Sequence, residues 1–411
     1  MSKLVISKSE TPHASITAVA EKRKEVGVLL DRTEAEQRRV GYFHTLREIL
    51  QQPATWRQTG EAIILLFDRL RESVAGIETL VLTGSGSSEF AGECLRLPLQ
   101  TALCTPVQTI GGGTLLTHGG KAIGPGRPGL MVSLARSGDS PESVGAVECI
   151  LESEPRIRHL VVTCNAEGRL ATTYRHHDKV TVVVLAAETN DSSLVMTSSF
   201  TNMVLAGAAL GSLNAPDSYW ATIEALCTKA DDILQNHIDT IAGLARRGFN
   251  RVVYLASGAR LGAAHEAALK MTEMTAGRVT ATSDTYLGLR HGPMSGVLPD
   301  TLVVCFLSSD PLVRAYECDL IRELNDKQLG MAKFIFGDQV PTDLILSGDV
   351  VIDCKGLASI GDDNVPVLDA VVGQLIAFFR CLEDGLQPDS PSREGIINRV
   401  VQEFKLHRPE E

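Results

Sequence analysis

The sequence predicts an α/β protein of two tandem domains, each a parallel sheet flanked by helices on both faces. Short β-branched runs alternate with helix-like stretches along most of the 411 residues, a pattern typical of parallel sheets. This order of strand-like and helix-like segments also repeats along the chain. VLTGSG at 81–86 matches YLASG at 254–258, and LMVSLARSGDS at 130–140 matches LVVCFLSSDP at 302–311. Both matches need nearly the same offset, about 171–172 residues, which indicates a duplication.

The first domain is predicted at 44–215, after a polar N-terminal segment at 1–43 that is helical or irregular. Four short runs within it are rich in apolar and β-branched residues, and each continues into a turn and a helix-like stretch. This is the pattern of buried parallel strands. The strand candidates are TLVLT (79–83), GLMVSL (129–134), HLVVTC (159–164) and KVTVVVL (179–185).

The second domain is predicted at 216–385 and begins with a long linker helix at 216–245. Its strand candidates are RVVYLA (251–256), RVTAT (278–282), TLVVCFLS (301–308), KFIFG (333–337) and DVVID (349–353). Residues 386–411 form a C-terminal tail rich in proline, serine and charge. We expect this tail to be mostly irregular.

Composition and charge narrow the classes of function. The formal net charge of −11 argues against nucleic-acid binding, which would need a basic surface. No apolar run reaches membrane-spanning length and the first residues lack a signal-peptide core, so we expect no membrane partner and a cytoplasmic location. The nine cysteines are scattered without a C-x-x-C pair, which favours reduced thiols.

A hydroxyl-rich turn follows the first strand candidate. Gly84 and Gly86 allow a tight turn and a close backbone approach to an anion, and the next helix start offers unpaired N–H groups. Position 89 is Glu89, so the third glycine of a dinucleotide fingerprint is missing. The hydroxyls of Ser87 and Ser88 suit a single phosphate monoester better than a pyrophosphate.

A second Ser/Gly turn follows the next strand candidate and runs from Arg136 through Ser137 to Ser140. Pro141 stands where a proline fits the first turn of a helix. Either turn alone also fits a purely structural role, with Ser140 as a helix N-cap. Two such turns in one domain favour a ligand site, because open α/β sheets bind ligands at the carboxyl ends of their strands.

The second domain carries a candidate acid–base group. Glu266, Lys270 and Glu273 are spaced i, i+4 and i+7, which places them on one face of a helix. His291 ends the polar loop that follows this helix. A carboxylate, an ammonium and an imidazole within one βα unit suit proton transfer on a sugar-like substrate. The alternative is a solvated strip of ion pairs and an ordinary loop histidine.

Several motifs together carry a resemblance that spans about residues 44–402. They are LREILQQP (46–53), TGSGSSEF (83–90), ARSGDSPESV (135–144), MTSSF (196–200), HEAALKMTEMTAG (265–277), LRHGP (289–293) and INRVVQ (397–402). With them the chain resembles the double-SIS (sugar isomerase) family, and within it the AgaS-type galactosamine-6-phosphate deaminases and tagatose-6-phosphate ketose/aldose isomerases. It is also similar to the isomerase half of glucosamine-6-phosphate synthase.

The resemblance implies a phosphate site made of serine hydroxyls, at Ser87, Ser88, Ser137 and Ser140. Arg136 stands where the synthase has a glutamine, so we expect it to add positive charge to this site. Further substrate contacts are implied near Gly86, Thr197, Ser198 and Arg290.

The resemblance also implies the catalytic roles. Glu273 would move a proton between C1 and C2 of the sugar, His291 would open the ring, and Lys270 would lie in the same site. No step of this chemistry requires a cofactor or a metal, and the adjacent histidines at 176–177 are interpreted as surface residues of a polar connector. The chain departs from the family at Met294 and from the synthase at Gln402, where lysines are expected.

The function that follows is a deaminating isomerase of an amino-sugar 6-phosphate, with D-galactosamine 6-phosphate as the expected substrate and D-tagatose 6-phosphate and ammonia as products. A plain ketose/aldose phosphate isomerase is the alternative within the same class. A sugar-phosphate sensor without catalysis is the alternative from another class. By the resemblance we expect a homodimer or a higher even-numbered homo-oligomer, with His291 acting in its own subunit or in a neighbour's.

Overall fold

The structure, a computed structural model, describes residues 24–392, 395–401 and 404–407. The expectations for residues 1–23 and for Gln402 lie outside these ranges. A group of helices precedes the first strand, and a capping box between Thr33 and Glu36 fixes the start of one of them. These helices are Lys24–Leu30, Glu34–Val40, Phe43–Leu50, Gln52–Ile64 and Phe67–Val74.

Five parallel strands form the first sheet, in the order β2-β1-β3-β4-β5. They are β1 (Thr79–Gly84), β2 (Val107–Gly111), β3 (Gly129–Ala135), β4 (Ile157–Thr163) and β5 (Val180–Val184). Four of them confirm the predicted strands to within two residues at each end. The sequence does not predict β2, because only Val107 of this edge strand is fully buried and the usual apolar pattern is weak.

Helices cover both faces of the first sheet, as predicted. Along β3 the side chains alternate between two cores, with Leu130 and Val132 in one and Met131 in the other. This alternation explains why the strand is buried along its whole length. The flanking helices are Ser87–Leu103, Gly112–His118, Pro141–Ser153, Arg169–Tyr174 and Ser198–Ala208.

The second sheet is also parallel, in the order β10-β9-β8-β6-β7. Its strands are β6 (Arg251–Leu255), β7 (Thr280–Asp284), β8 (Thr301–Phe306), β9 (Ala332–Gly337) and β10 (Val350–Asp353). All five confirm predicted strands to within two residues. The predicted linker helix is interrupted by a π-helical turn at Ile233–His237. The helices of this half are Pro216–Asp232, Ile238–Ala245, Arg260–Met274, Tyr286–Leu289, Pro311–Asp326, Leu357–Ile360 and Pro366–Glu383. None of the described helices combines the length and the apolar character that a membrane crossing needs.

The two sheets share one strand order and one spacing along the chain. Read from the β2 and β7 edges, they have the same strand order, β2-β1-β3-β4-β5 and β7-β6-β8-β9-β10. Strands β1 and β6 begin at 79 and 251, and β3 and β8 begin at 129 and 301, so both pairs lie 172 residues apart. The equivalent carboxyl-terminal edges therefore carry equivalent turns.

Close helix crossings pack the Arg260–Met274 helix against one helix of each half. A Cβ atom built on Gly262 would lie 2.6 Å from the backbone nitrogen of Cys94, and one built on Gly373 would lie 2.5 Å from the Cβ atom of Ala267. Glycine is needed at both crossings because a side chain would force the backbones apart. One cluster of buried apolar side chains spans both sheets and these helices. The Arg260–Met274 helix is thereby held against the Ser87–Leu103 helix of the first domain.

Candidate active site

The turn after β1 depends on glycine at two positions. Gly86 has φ +58° and ψ −126°, a conformation that residues with a Cβ atom rarely adopt. A Cβ atom on Gly84 would lie 2.5 Å from the carbonyl carbon of Ser88, so the helix start packs directly on the end of the strand. The predicted helix follows this turn, and Ser87 is its first residue. Its hydroxyl is therefore at a helix N-terminus, where backbone N–H groups attract anions.

The turn after β3 has the same plan. Gly138 adopts φ +67°, and Pro141 is the first residue of the Pro141–Ser153 helix, as predicted. Ser140 occupies the N-cap position, but its hydroxyl bonds to the Ser143 hydroxyl at 2.7 Å rather than to the helix backbone. The Ser137 hydroxyl accepts a hydrogen bond from the Asp139 N–H at 3.3 Å. Ser140 therefore stands at the N-cap position, as predicted, but its side chain does not cap the helix.

The two turns are neighbours, because β1 and β3 pair directly in the sheet. Gly112, next to the end of β2, lies between them. A Cβ atom built there would be 3.2 Å from the Ser85 hydroxyl and 3.6 Å from the carbonyl oxygen of Glu142. The carboxyl ends of three strands therefore meet in one place, where such sheets bind ligands.

Glu266, Lys270 and Glu273 lie on one face of the Arg260–Met274 helix, as their spacing predicts. The Lys270 ammonium donates to the Glu273 carboxylate and lies 3.4 Å from that of Glu266. It also donates to the Ser87 hydroxyl across the domain boundary at 3.0 Å. The side chains of Lys270 and Glu266 are fully buried, whereas that of Glu273 is 21% exposed. This burial excludes the alternative of a solvated ion-pair strip.

Burial and charge act in opposite directions in this group. Burial alone would lower the pKa of Lys270, but the carboxylates of Glu266 and Glu273 outweigh it and raise the pKa. Burial raises the pKa of Glu266 to about 8, although Lys270 opposes the shift. Near neutral pH, Lys270 is therefore charged and Glu266 is largely protonated. Glu273 is the carboxylate that reaches solvent.

A cavity of about 540 Å³ lies against the exposed side of Glu273. The turn after β1, Arg136 and the C-terminal segment 395–401 also line it. The full lining is Ser85, Gly86, Ser87, Arg136, Leu194, Met196, Leu269, Glu273, Gly395, Ile396, Ile397, Asn398, Arg399 and Val401. The cavity therefore combines the phosphate turn, the candidate base and one buried cation.

The C-terminal segment is anchored over the cavity by arginines. The Arg399 guanidinium donates to the Asp191 carbonyl at 2.7 Å and to the Asn190 side chain at 2.6 Å. Arg136 in turn donates to the carbonyl oxygens of Leu194, at 3.0 Å, and of Arg399. Within 395–401 and 404–407 the segment forms neither helix nor strand. The segment is therefore held by these arginine hydrogen bonds and not by regular secondary structure.

No family model matches the chain. A Streptomyces coelicolor protein provisionally named D-galactosamine-6-phosphate deaminase AgaS is 37% identical over 89% of this chain and 95% of that protein. The D-galactosamine-6-phosphate deaminase AgaS of Escherichia coli O157:H7 is 34% identical over 88% of this chain and 95% of its own length. The chain belongs to the AgaS family.

A solved structure of the same kind supports the assignment. The crystal structure of tagatose-6-phosphate ketose/aldose isomerase from Escherichia coli superposes on 86% of this chain and 95% of its own, with a TM-score of 0.79 and 32% identity. The pair of parallel sheets described above is thus the tandem SIS fold. The expected fold class is confirmed.

Not all side chains predicted to bind substrate line the cavity of this AgaS family member. Thr197 and Ser198 are fully buried, and their hydroxyls both bond to the Asp191 carboxylate, at 3.2 and 2.5 Å. Arg290 pairs with Glu323 at 2.8 Å in the second domain. His291 is exposed and is not one of the described residues that line the cavity.

Three predicted phosphate-binding serines lie beside the cavity rather than in its lining. Ser88 is buried in the first turn of the Ser87–Leu103 helix, and Ser137 and Ser140 are half-buried in the neighbouring turn. The Ser137 carbonyl accepts a hydrogen bond from the Asn165 side chain at 3.1 Å, which fixes the turn. Their hydroxyls belong to the two turns at the cavity rim.

A buried acidic pair in the first domain was not predicted. Glu48 accepts a hydrogen bond from the Ser192 N–H at 2.5 Å and contacts the Ser193 hydroxyl, close to Asp191. Burial, reinforced by the Asp191 carboxylate, raises the pKa of Glu48 to about 8. The partners are more than 140 residues apart, so the pattern around Glu48 carries no local signal.

Replacing Glu48 with glutamine should change how stability depends on pH. Because the pKa of folded Glu48 lies above the ordinary 4.5, its contribution to stability is complete below pH 4.5 and is lost as the pH rises through about 8. Urea unfolding should therefore find Glu48→Gln close to wild type near pH 4.5 and on the order of a few kcal/mol more stable at pH 9. Exposed Glu167→Gln is the control. The same change of stability with pH in both variants would contradict the raised pKa of Glu48.

Proposed function

We propose that the protein is a deaminating isomerase that converts D-galactosamine 6-phosphate and water into D-tagatose 6-phosphate and ammonia. The observation that carries this proposal is the position of Glu273. Its carboxylate reaches the cavity, its other side is held by the buried Lys270 ammonium, and the hydroxyl-rich turn after β1 lies next to it. A base and an anion site are thus adjacent, as a sugar phosphate requires.

Arg136 supports a phosphate as the anion. Its side chain is 7% exposed and lines the cavity. Among the described contacts it donates to carbonyl oxygens and forms no ion pair. Burial lowers its pKa, although Asp191 opposes the shift, and an arginine stays charged at pH 7 even so. A buried cation is costly without a counter-ion, and a sugar phosphate at the cavity rim would supply one.

The chemistry follows from this arrangement. His291 would open the sugar ring by protonating the ring oxygen and accepting the proton from O1. The Glu273 carboxylate would then take the proton from C2 and return it to C1, while the amine nitrogen loses one proton and the aldehyde oxygen O1 gains one. This leaves a C=N bond at C2, which water hydrolyses with loss of ammonia. Lys270 would keep the Glu273 carboxylate aimed into the cavity through their hydrogen bond.

Replacing Arg136 with glutamine should weaken phosphate recognition. The loss of a hydrogen bond to a charged group costs about 1.5–3 kcal/mol, so kcat/KM for galactosamine 6-phosphate should fall by about 10- to 150-fold, mostly through KM. Galactosamine without the phosphate is the matched control, and its slow turnover should hardly change. An equal loss of kcat/KM for both sugars would show that Arg136 maintains the fold and does not recognise the phosphate. Ser88→Ala combined with Ser137→Ala should raise KM in the same selective way.

We propose that His291 reaches the cavity of a second copy of the chain, since it is exposed and does not line the cavity of its own chain. Glu273→Gln and His291→Ala variants, each nearly inactive, should then recover activity when mixed. Random exchange in a dimer gives one intact site in half of the assemblies, or about a quarter of wild-type activity. Mixing without recovery, or an active monomer by light scattering, would rule this out.

A plain ketose/aldose phosphate isomerase is a second candidate, favoured by the name of the Escherichia coli structure. The same base and the same phosphate site would serve a sugar with a hydroxyl at C2. The two functions differ in one product, because only the amino sugar releases ammonia. A non-catalytic sensor would have no need of a carboxylate held at the cavity by a buried lysine.

A further inference from the structure

A second polar cavity lies at the opposite edge of the first sheet. It measures about 450 Å³ and is lined by the first residues of β4 and β5, the Phe67–Val74 helix and the turn 175–179. The strands are parallel, so their amino ends are at the far edge from the phosphate turns. This cavity, called here the amino-edge cavity, is therefore separate from the candidate active site.

The charge of the amino-edge cavity is the reverse of that of the whole chain. Four of its side chains are permanent cations, Arg69, Arg158, Arg175 and Lys179. Two are acidic, Glu72 and Asp178. Among the ion pairs of the described residues, none involves any of these four cations. In a protein of net charge −11, this excess of cations over carboxylates in one cavity attracts anions.

Backbone carbonyls hold three of the cations in place. Arg158 donates to the Glu72 carbonyl at 3.1 Å, Arg175 to the Ala166 carbonyl at 3.2 Å, and Lys179 to the Pro155 carbonyl at 3.1 Å. Carbonyl oxygens orient a side chain but do not neutralise its charge. The cations are therefore positioned before any ligand arrives, which lowers the entropic cost of binding.

His159 adds a buried polar group to the same cavity. Its side chain, on β4, is 1% exposed, and within the described structure neither ring nitrogen has a hydrogen-bond partner. Burial, with help from His177 and Lys179, lowers its pKa to about 4, so the ring is neutral at pH 7. A neutral imidazole offers one N–H donor. An unpartnered buried donor is costly, and a ligand oxygen in the cavity would relieve that cost.

We propose that the amino-edge cavity binds a phosphate group, as free phosphate or as a small phosphate monoester, at a site distinct from the substrate. Guanidinium groups recognise phosphate oxygens with paired hydrogen bonds, and the buried His159 N–H supplies a neutral donor. The histidines at 176–177 belong to the turn that carries Arg175 and Lys179. The bound group would join the Phe67–Val74 helix to β4 and β5.

Equilibrium dialysis of the full-length chain against radiolabelled orthophosphate tests the proposal. Arg175→Gln combined with Lys179→Gln should bind one phosphate fewer per chain than wild type. The matched control, Arg127→Gln combined with Arg156→Gln, removes two exposed cations from the same edge of the sheet outside the cavity and should leave the number unchanged. Equal stoichiometry of wild type and the first variant would overturn the site, whatever the activity of the enzyme.

His159→Leu separates binding from folding. It should weaken the same phosphate site at least tenfold while the Tm without phosphate stays level or rises, because an unpartnered polar group leaves the interior. A fall in Tm with unchanged phosphate affinity would overturn the role of the ring. Displacement of the amino-edge phosphate by glucose 6-phosphate would identify an ester as the ligand, and resistance to displacement would identify free phosphate.

Discussion

Replacing Glu273 with glutamine should lower the turnover of galactosamine 6-phosphate by about 10²- to 10⁴-fold while the substrate still binds. Glutamine preserves the shape and the hydrogen bond to Lys270 but cannot accept the C2 proton. The carboxylate is partly exposed at the cavity, in contrast to that of Glu266 on the same helix. The effect should therefore fall on kcat and spare KM.

Glu266→Gln is the matched control, because Glu266 is fully buried and largely protonated near neutral pH. It should leave turnover within a few-fold of wild type. Solvent deuterium incorporation at C1 should be lost in Glu273→Gln and kept in Glu266→Gln. Wild-type turnover in Glu273→Gln would mean that another group is the base.

Replacing Lys270 with methionine should be the most destabilising single change in the site. At a pH where Glu266 is ionised, removal of its buried partner costs about 3–5 kcal/mol, because the remaining charge loses its counter-ion. The loss should grow with pH, since Glu266 is protonated below its pKa of about 8 and ionised above it. Chemical denaturation at pH 6 and at pH 9 measures both the loss of stability and its change with pH.

The combination Lys270→Met with Glu266→Gln separates stability from catalysis. It removes both buried charges, so most of the stability lost at pH 9 should return. Turnover should stay low, because Glu273 has lost the ammonium that holds it. Full recovery of turnover in the double variant would show that Lys270 has a purely structural role.

Local patterns in the sequence predict the frame of this site well. Nine of the ten strands in the described residues follow from β-branched runs, and strands 172 residues apart have equivalent turns at their ends. The i, i+4, i+7 spacing correctly places Glu266, Lys270 and Glu273 on one helix face. These features depend on residues close in sequence, where periodicity is a reliable guide.

Local sequence patterns did not predict the tertiary contacts of the site. The partner of Lys270 across the domain boundary is Ser87, 183 positions away. Arg399 and Asn398 reach the cavity on an irregular tail, which offers no periodicity to read. The hydroxyls of Thr197 and Ser198 were predicted near substrate, but the structure turns both toward Asp191. The buried Asp191 carboxylate needs hydrogen-bond donors, and these two hydroxyls supply them. The spacing of residues along the chain does not predict this orientation.

The most direct test of the proposed function is an assay of the products formed from four substrates in parallel. These are galactosamine 6-phosphate, glucosamine 6-phosphate and their N-acetyl forms. We expect galactosamine 6-phosphate to be turned over fastest, with one ammonia released for each tagatose 6-phosphate formed. Absence of ammonia from every amino sugar would contradict the account, whether the protein then interconverts ketose and aldose phosphates or only binds them.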